Sequence, residues 1–348
     1  MTNLSAIKYH GLPLGIGSLP YNDPVYACNK VLSVFPESPF WPELSKRNWR
    51  EGMGYIQSES LPGMREDNDR GVIYLDNTID LSPELEIFYT RFIANEFSHF
   101  QVSPAYASGL AAMRELLEND RRPDIKFIKG QLTGPTTFGL IIKDAAGKAV
   151  LYDEQLMDTL IKGTVMKARW MIDEWRRLGL DTIIFFDEPM LQSVGSASVP
   201  INKEHAVNYL NEVVNSVDCL TGAHCCGNTD WSILMAADID VLAFDAYRFT
   251  ENIALYPRQL QEFLDRGGAL AWGIVPAEEA AADHSVASLT KRLEEAFLLV
   301  AKSGIDIDQL ASTALITPSC GLGSLTIELA DKILELTRGV SDWLRERS

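Results

Sequence analysis

Thr182-Ile183-Ile184-Phe185-Phe186-Asp187-Glu188-Pro189-Met190-Leu191 is the stretch on which the fold reading turns. Its apolar half reads as a buried strand, and it stops abruptly in two carboxylates and a proline. Seven further short runs share this form, each apolar, each closed by Gly, Pro or a polar residue, and each followed by a helix-like segment. They are Leu14–Pro20, Gly54–Leu61, Phe127–Pro135, Leu220–Cys226, Val241–Tyr247, Ala269–Pro276 and Thr313–Cys320. Between them lie amphipathic stretches such as 156–178, where Leu156, Leu160, Met166, Trp170 and Ile172 are flanked by Lys and Arg. Strands alternating with helices imply parallel pairing. Eight such units in a chain of 348 residues predict a single α/β domain over 1–348, a (β/α)8 TIM barrel. The runner-up is an open doubly wound sheet. Polar residues at the C-terminal ends of several runs (Ser18, Glu59, Asp187, His224, Asp245, Cys320) favour the barrel, whose active sites are built on that rim. Residues 62–126 exceed one helix and read as an elaborated β2–α2 region, an insertion or lid, with helix-like stretches at 83–97 and 104–119.

Bulk composition narrows the partners. Acidic residues number 48 against 31 basic, a formal charge of −17, which disfavours nucleic acid and anionic membrane. No apolar run approaches the roughly 20 residues of a membrane span. Residues 1–10 lack the basic-then-apolar pattern of a secretory signal. Five cysteines, an odd number in a large chain, argue against a disulfide framework and for a reduced, cytoplasmic protein.

In Gly222-Ala223-His224-Cys225-Cys226-Gly227, alternation places His224 and Cys226 on one strand face and turns Cys225 into packing. Cys320, closing the last run, completes a His/Cys/Cys set. Three N and S ligands with a position left open is the pattern of a catalytic zinc site. Asp245 reads either as an oxygen ligand, as a group orienting His224, or as a solvated strand-end carboxylate. Asp187 suits binding of an ammonium group or handling of a proton, and a helix N-cap is the competing reading. Gly15-Ile16-Gly17-Ser18 offers backbone N–H groups and a hydroxyl to a small anion, although a tight turn explains it equally. Glu59 is a weak signal alone.

His-x-Cys after the fifth run, Asp187-Glu188-Pro189 after the fourth, and Pro318-Ser319-Cys320-Gly321-Leu322 together resemble the catalytic, C-terminal half of cobalamin-independent methionine synthase. Gly17-Ser18-Leu19-Pro20, Leu132-Thr133-Gly134-Pro135-Thr136-Thr137 and 238–246 resemble further segments of that family, so the likeness spans 14 to about 340. The resemblance implies zinc on His224, Cys226 and Cys320, with Asp245 where the family usually has Glu. It implies that Asp187 and Glu59 bind the amino group of homocysteine, and that Ile16 and Ser18 hold its carboxylate. Two departures stand out: Trp272-Gly273-Ile274-Val275-Pro276 lacks the family's seventh-strand histidine, and the N-terminal barrel of long forms is missing. A short, core form is expected, methylating homocysteine to methionine with methylcobalamin or a methylated corrinoid protein as donor. Alternatives are methyl or alkyl transfer to another thiol of the coenzyme M kind, and a non-catalytic barrel that binds an amino acid or a corrinoid partner.

Overall fold

The computed structural model describes residues 10–347, so the reading of the first nine residues lies outside it. Strands β1 (Met64–Asp67) and β2 (Val72–Leu75) form a small antiparallel hairpin. β3 (Ile128–Thr133), β4 (Thr182–Asp187), β5 (Leu220–Cys225), β6 (Val241–Phe244), β7 (Ala269–Val275) and β8 (Leu315–Pro318) form one parallel sheet in that order. The helices are α1 (Pro24–Val34), α2 (Ser82–Ile93), α3 (Ser108–Asn119), α4 (Pro135–Ile141), α5 (Glu154–Arg177), α6 (Lys203–Val214), α7 (Trp231–Ala236), α8 (Ala246–Ile253), α9 (Pro257–Asp265), α10 (Val286–Ala301), α11 (Ile307–Ser312) and α12 (Ile327–Arg345).

The regular sheet thus has six strands, two fewer than the eight expected. The first run pairs with β8 only briefly: Leu14 donates to the Ile316 carbonyl at 2.8 Å, and Ile316 to that of Leu12 at 3.0 Å. Pro13 and Pro20 remove donors on either side, which shortens the ladder. The second run, 54–61, is no strand but a series of turns, with Gly54 and Ser60 at positive φ. Its expected place beside β3 is held by residues 39–43, where Lys129 donates to the Pro39 carbonyl at 2.8 Å. Glu43 and Gly17 then join the two irregular segments through Glu43 N–H to Gly17 O at 3.0 Å and Leu19 N–H to Glu43 O at 2.9 Å. Hydrogen bonds therefore run from one sheet edge to the other through 11–19 and 39–43. Pro39 and Pro42 hid this segment, because prolines punctuate its apolar pattern.

Period two sorts every strand into an inner and an outer face. Leu14, Ile183, Phe185, Val241, Ala243, Ala271 and Leu315 belong to one buried cluster inside the sheet. Ile184, Phe186, Ala223, Cys225, Leu242 and Phe244 pack outward into the larger cluster shared with the helices. Inner positions then continue upward to the polar rim: Phe185 leads to Asp187, Gly222 to His224, Ala243 to Asp245 and Ile16 to Ser18. Gly222 is required there, since a Cβ would lie 2.6 Å from the Phe185 ring.

The elaborated region has a core of its own, in which Leu61, Ile73, Leu75, Phe88 and Phe100 pack with Phe138, Leu160 and Met166. It is fastened to the sheet by Gln57, whose Oε1 accepts from Thr133 N–H at 2.7 Å while its Nε2 donates to Thr133 O at 2.9 Å. One side-chain amide thereby satisfies a strand end that the missing strand would have paired. α3 stands apart from this lobe and packs on α1 in the outer layer; the Cys28 thiol donates to the Gly109 carbonyl at 3.3 Å.

Candidate metal centre

β5 lifts His224 to the rim, and the turn after it carries Cys226. The loop after β8 brings Cys320 to face them. Their ligand atoms lie within 4.8 Å of one another, and this is the one such group among the described residues. His224 is buried, yet neither ring nitrogen has a hydrogen-bond partner. Buried polar atoms are rarely left unpaired, so an imidazole without a protein partner beside two thiols fits a cation-binding group, and the donor set suits zinc. Cys320 is pulled well below the usual thiol range by the Cys226 thiol and the His224 ring, whereas Cys226 is pushed up by Cys320 and by burial. Cys225 turns the other way, fully buried, with its thiol pushed up to about 12 by burial.

Asp245 stands outside the ligand cluster. It is buried at the N-cap of α8, where its Oδ1 accepts from Arg248 N–H at 2.9 Å, and it makes no hydrogen bond to His224. Burial pushes it up to about 6 against the pull of Arg248. A helix cap is thus its observed role, because the short side chain is consumed by the first turn of α8.

A cavity of about 240 Å³ opens beside the cysteines, lined by Ile16, Ser18, Glu43, Asp187, His224 and Cys320 among others. Asp187 does not cap a helix. Its Oδ1 is buried and unpartnered, and burial raises its carboxyl, opposed by Lys129 and His224. Glu188 takes the anchoring role instead, accepting from Thr136 N–H at 2.9 Å and Thr137 N–H at 2.8 Å at the start of α4. Ser18 Oγ accepts weakly from Gly323 N–H at 3.3 Å, which leaves its own proton for a ligand. Gly321 is needed beside it, because a Cβ would come within 2.2 Å of that oxygen.

Glu59 is not in this cavity. It lines a separate depression with Arg65, His99 and Tyr106, and its Oε2 accepts from Ser103 N–H at 2.7 Å. The turns over 52–60 carry it there; a strand would have carried it to the rim. The cavity's other carboxylates are Glu43, raised by burial and by Asp187, and Glu51, which is paired with Arg47 at 3.0 Å. Sequence reading passed over Glu43, Lys129 and Gln131. The last two had a signal: Lys129, Gln131 and Thr133 put polar groups at alternate positions of an otherwise buried strand.

No family model matches the chain, and no curated protein matches it in sequence. Among solved structures, a methyltransferase from Methanosarcina mazei has a TM-score of 0.59 at 14% identity, covering 96% of this chain and 95% of its own. A B12-independent methionine synthase from Shewanella sp. W3-18-1, in complex with selenomethionine, has a TM-score of 0.47 at 16% identity, covering 68% of this chain and 67% of its own. Among the described residues no helix is long and apolar enough to cross a membrane. At 14% identity, what this chain shares with the Methanosarcina mazei methyltransferase is its fold.

Proposed function

We propose that the chain is a zinc-dependent methyltransferase that methylates the thiol of homocysteine, on a (β/α)8-type frame whose first and second strands are the segments 11–19 and 39–43. The observation carrying this reading is the adjacency of an unpartnered His224 with two cysteines to a cavity lined by Asp187, Glu43 and Glu51. His224, Cys226 and Cys320 would hold the metal. Bound there, zinc supplies a Lewis acid that keeps a substrate thiol deprotonated at neutral pH.

The remaining work falls to the protein. Asp187 Oδ1, buried and without a partner, accepts the substrate ammonium, with Glu43 as its second carboxylate. The Ser18 hydroxyl donates to the substrate carboxylate. Held at both ends, the substrate keeps its sulfur in line with an incoming methyl carbon, and alignment supplies much of the rate. As sulfur bonds to that carbon, the bonding pair leaves with the donor. Methylcobalamin, free or on a corrinoid protein, is the proposed donor, since the acidic chain is a poor partner for a polyanionic folate. The carboxylates lining the cavity also disfavour a sulfonate thiol of the coenzyme M kind.

The test is to incubate zinc-loaded protein with homocysteine and, separately, methylcobalamin or methyltetrahydrofolate, and to assay methionine. Methionine from methylcobalamin supports the reading. Methionine from folate alone overturns the donor, and no methionine from either overturns the activity.

A further inference from the structure

The lining of the cavity beside the cysteines contains groups of opposite hydrogen-bonding character. Asp187, Glu43 and Glu51 bring carboxylates, whereas Ser18, Ser45 and Ser324 bring hydroxyls. Glu51 is already engaged, by Arg47 at 3.0 Å and by the Ser108 hydroxyl at 2.7 Å. An amino-acid substrate has a carboxylate of its own, and like charges repel it from the acidic groups. It must therefore settle where donors gather, and a hydroxyl is such a donor.

Three chain segments meet at the serines and hold one another in place. Glu43 N–H donates to the Gly17 carbonyl at 3.0 Å, and Leu322 N–H to the Ser18 carbonyl at 2.9 Å. Lys46 Nζ closes the set by donating to the Leu325 carbonyl at 2.5 Å. Glu43 and Ser45 flank Leu44, which is buried in the outer cluster, so alternation turns both side chains to the cavity. Gly323 separates the two serines. A Cβ on it would lie 3.2 Å from Ser18 Oγ and 3.3 Å from Ser45 Oγ, so both hydroxyls flank the same small residue. Ser18 Oγ accepts from Gly323 N–H, while Ser45 Oγ makes no hydrogen bond among the described residues.

We infer that Ser45 is a specificity-determining residue: its hydroxyl donates to the α-carboxylate of the substrate as the second partner of Ser18 across Gly323. The inference rests on the amino-acid reading of the cavity and assigns it a donor that reading does not contain. One short segment then serves both charged groups of the substrate, with Glu43 accepting from the ammonium and Ser45 donating to the carboxylate. The pair of hydroxyls selects an amino-acid thiol over a simple aminothiol.

Binding of L-homocysteine and of 3-aminopropanethiol, which lacks only the carboxylate, is to be measured by calorimetry on the zinc-loaded protein. Wild type should prefer homocysteine by about tenfold or more, the worth of hydrogen bonds to a charged group. A wild type without that preference sinks the amino-acid reading itself. With the preference established, Ser45→Ala should cut it by about threefold or more, with 3-aminopropanethiol binding unchanged and one zinc retained per chain. Ser45 is exposed, so loss of its hydroxyl opens no void in the core. A smaller cut overturns the role of Ser45. So does an equal loss of affinity for both thiols, since the residue would then shape the cavity without reading the carboxylate.

Discussion

Asp187 and His224 are register partners at the C-terminal ends of β4 and β5, and each carries a buried polar atom with no hydrogen-bond partner in the protein. Two neighbouring inner positions on adjacent strands are thus left unsatisfied by the protein itself, which is uncommon for buried polar groups. Both line the cavity of about 240 Å³ beside Cys226 and Cys320.

Replacing Cys320 with Ser should abolish stoichiometric zinc binding and methyl transfer together, because an open site of this kind is held by three N and S donors and this change removes one of its two thiolates. Cys225→Ala should keep one zinc per chain, its side chain facing the helices. Metal analysis of the purified variants checks both, and zinc retained at full occupancy in Cys320→Ser would discard the centre.

Asp187→Asn keeps the shape of the pocket and removes its charge. Its KM for homocysteine should rise about 10- to 100-fold, the worth of a hydrogen bond between charged groups. Glu59→Gln should leave that KM unchanged, since Glu59 faces a different depression. Steady-state kinetics on the two variants distinguishes the observed cavity from the sequence expectation.

Lys167 on α5 is buried, with one hydrogen bond, to the Phe100 carbonyl at 3.3 Å, and burial pulls its ammonium down to about 8 against the attraction of Glu59. A base with a lowered folded pKa costs stability below that pKa, and the cost disappears as pH rises toward the unfolded value near 10.4. Lys167→Met should therefore be more stable than wild type at pH 7, on the order of 2 kcal/mol, with the advantage shrinking above pH 8. Urea unfolding at pH 7 and pH 9.5 measures it, and an advantage independent of pH would point to packing.

Gln57→Leu removes the amide that seals the end of β3. Two buried backbone groups of Thr133 would lose their partner, at a cost of about 3 kcal/mol. Denaturant unfolding gives that number, and faster hydrogen exchange at the Thr133 amide localises it.

The (β/α) alternation, the six regular strands and the His224/Cys226/Cys320 set were all legible in sequence. The strands rest on short apolar runs closed by polar residues, and the pairing of His224 with Cys226 on period-two alternation, both local properties of the chain. The same alternation separated Cys226 from Cys225, one residue apart. What sequence could not carry was which irregular segment lies beside β3. Residues 54–61 have the apolar character of a strand but turn away at Gly54 and Ser60, while 39–43, broken by two prolines, takes the place. That exchange put Glu43 in the cavity and left Glu59 in a separate depression. It also made Gln57 a strand cap. The sequence by itself determined which side chains reach the rim of each regular strand, because backbone geometry sets that locally. Only the tertiary structure decided which of them meet, because that depends on hydrogen bonds between segments far apart in the chain.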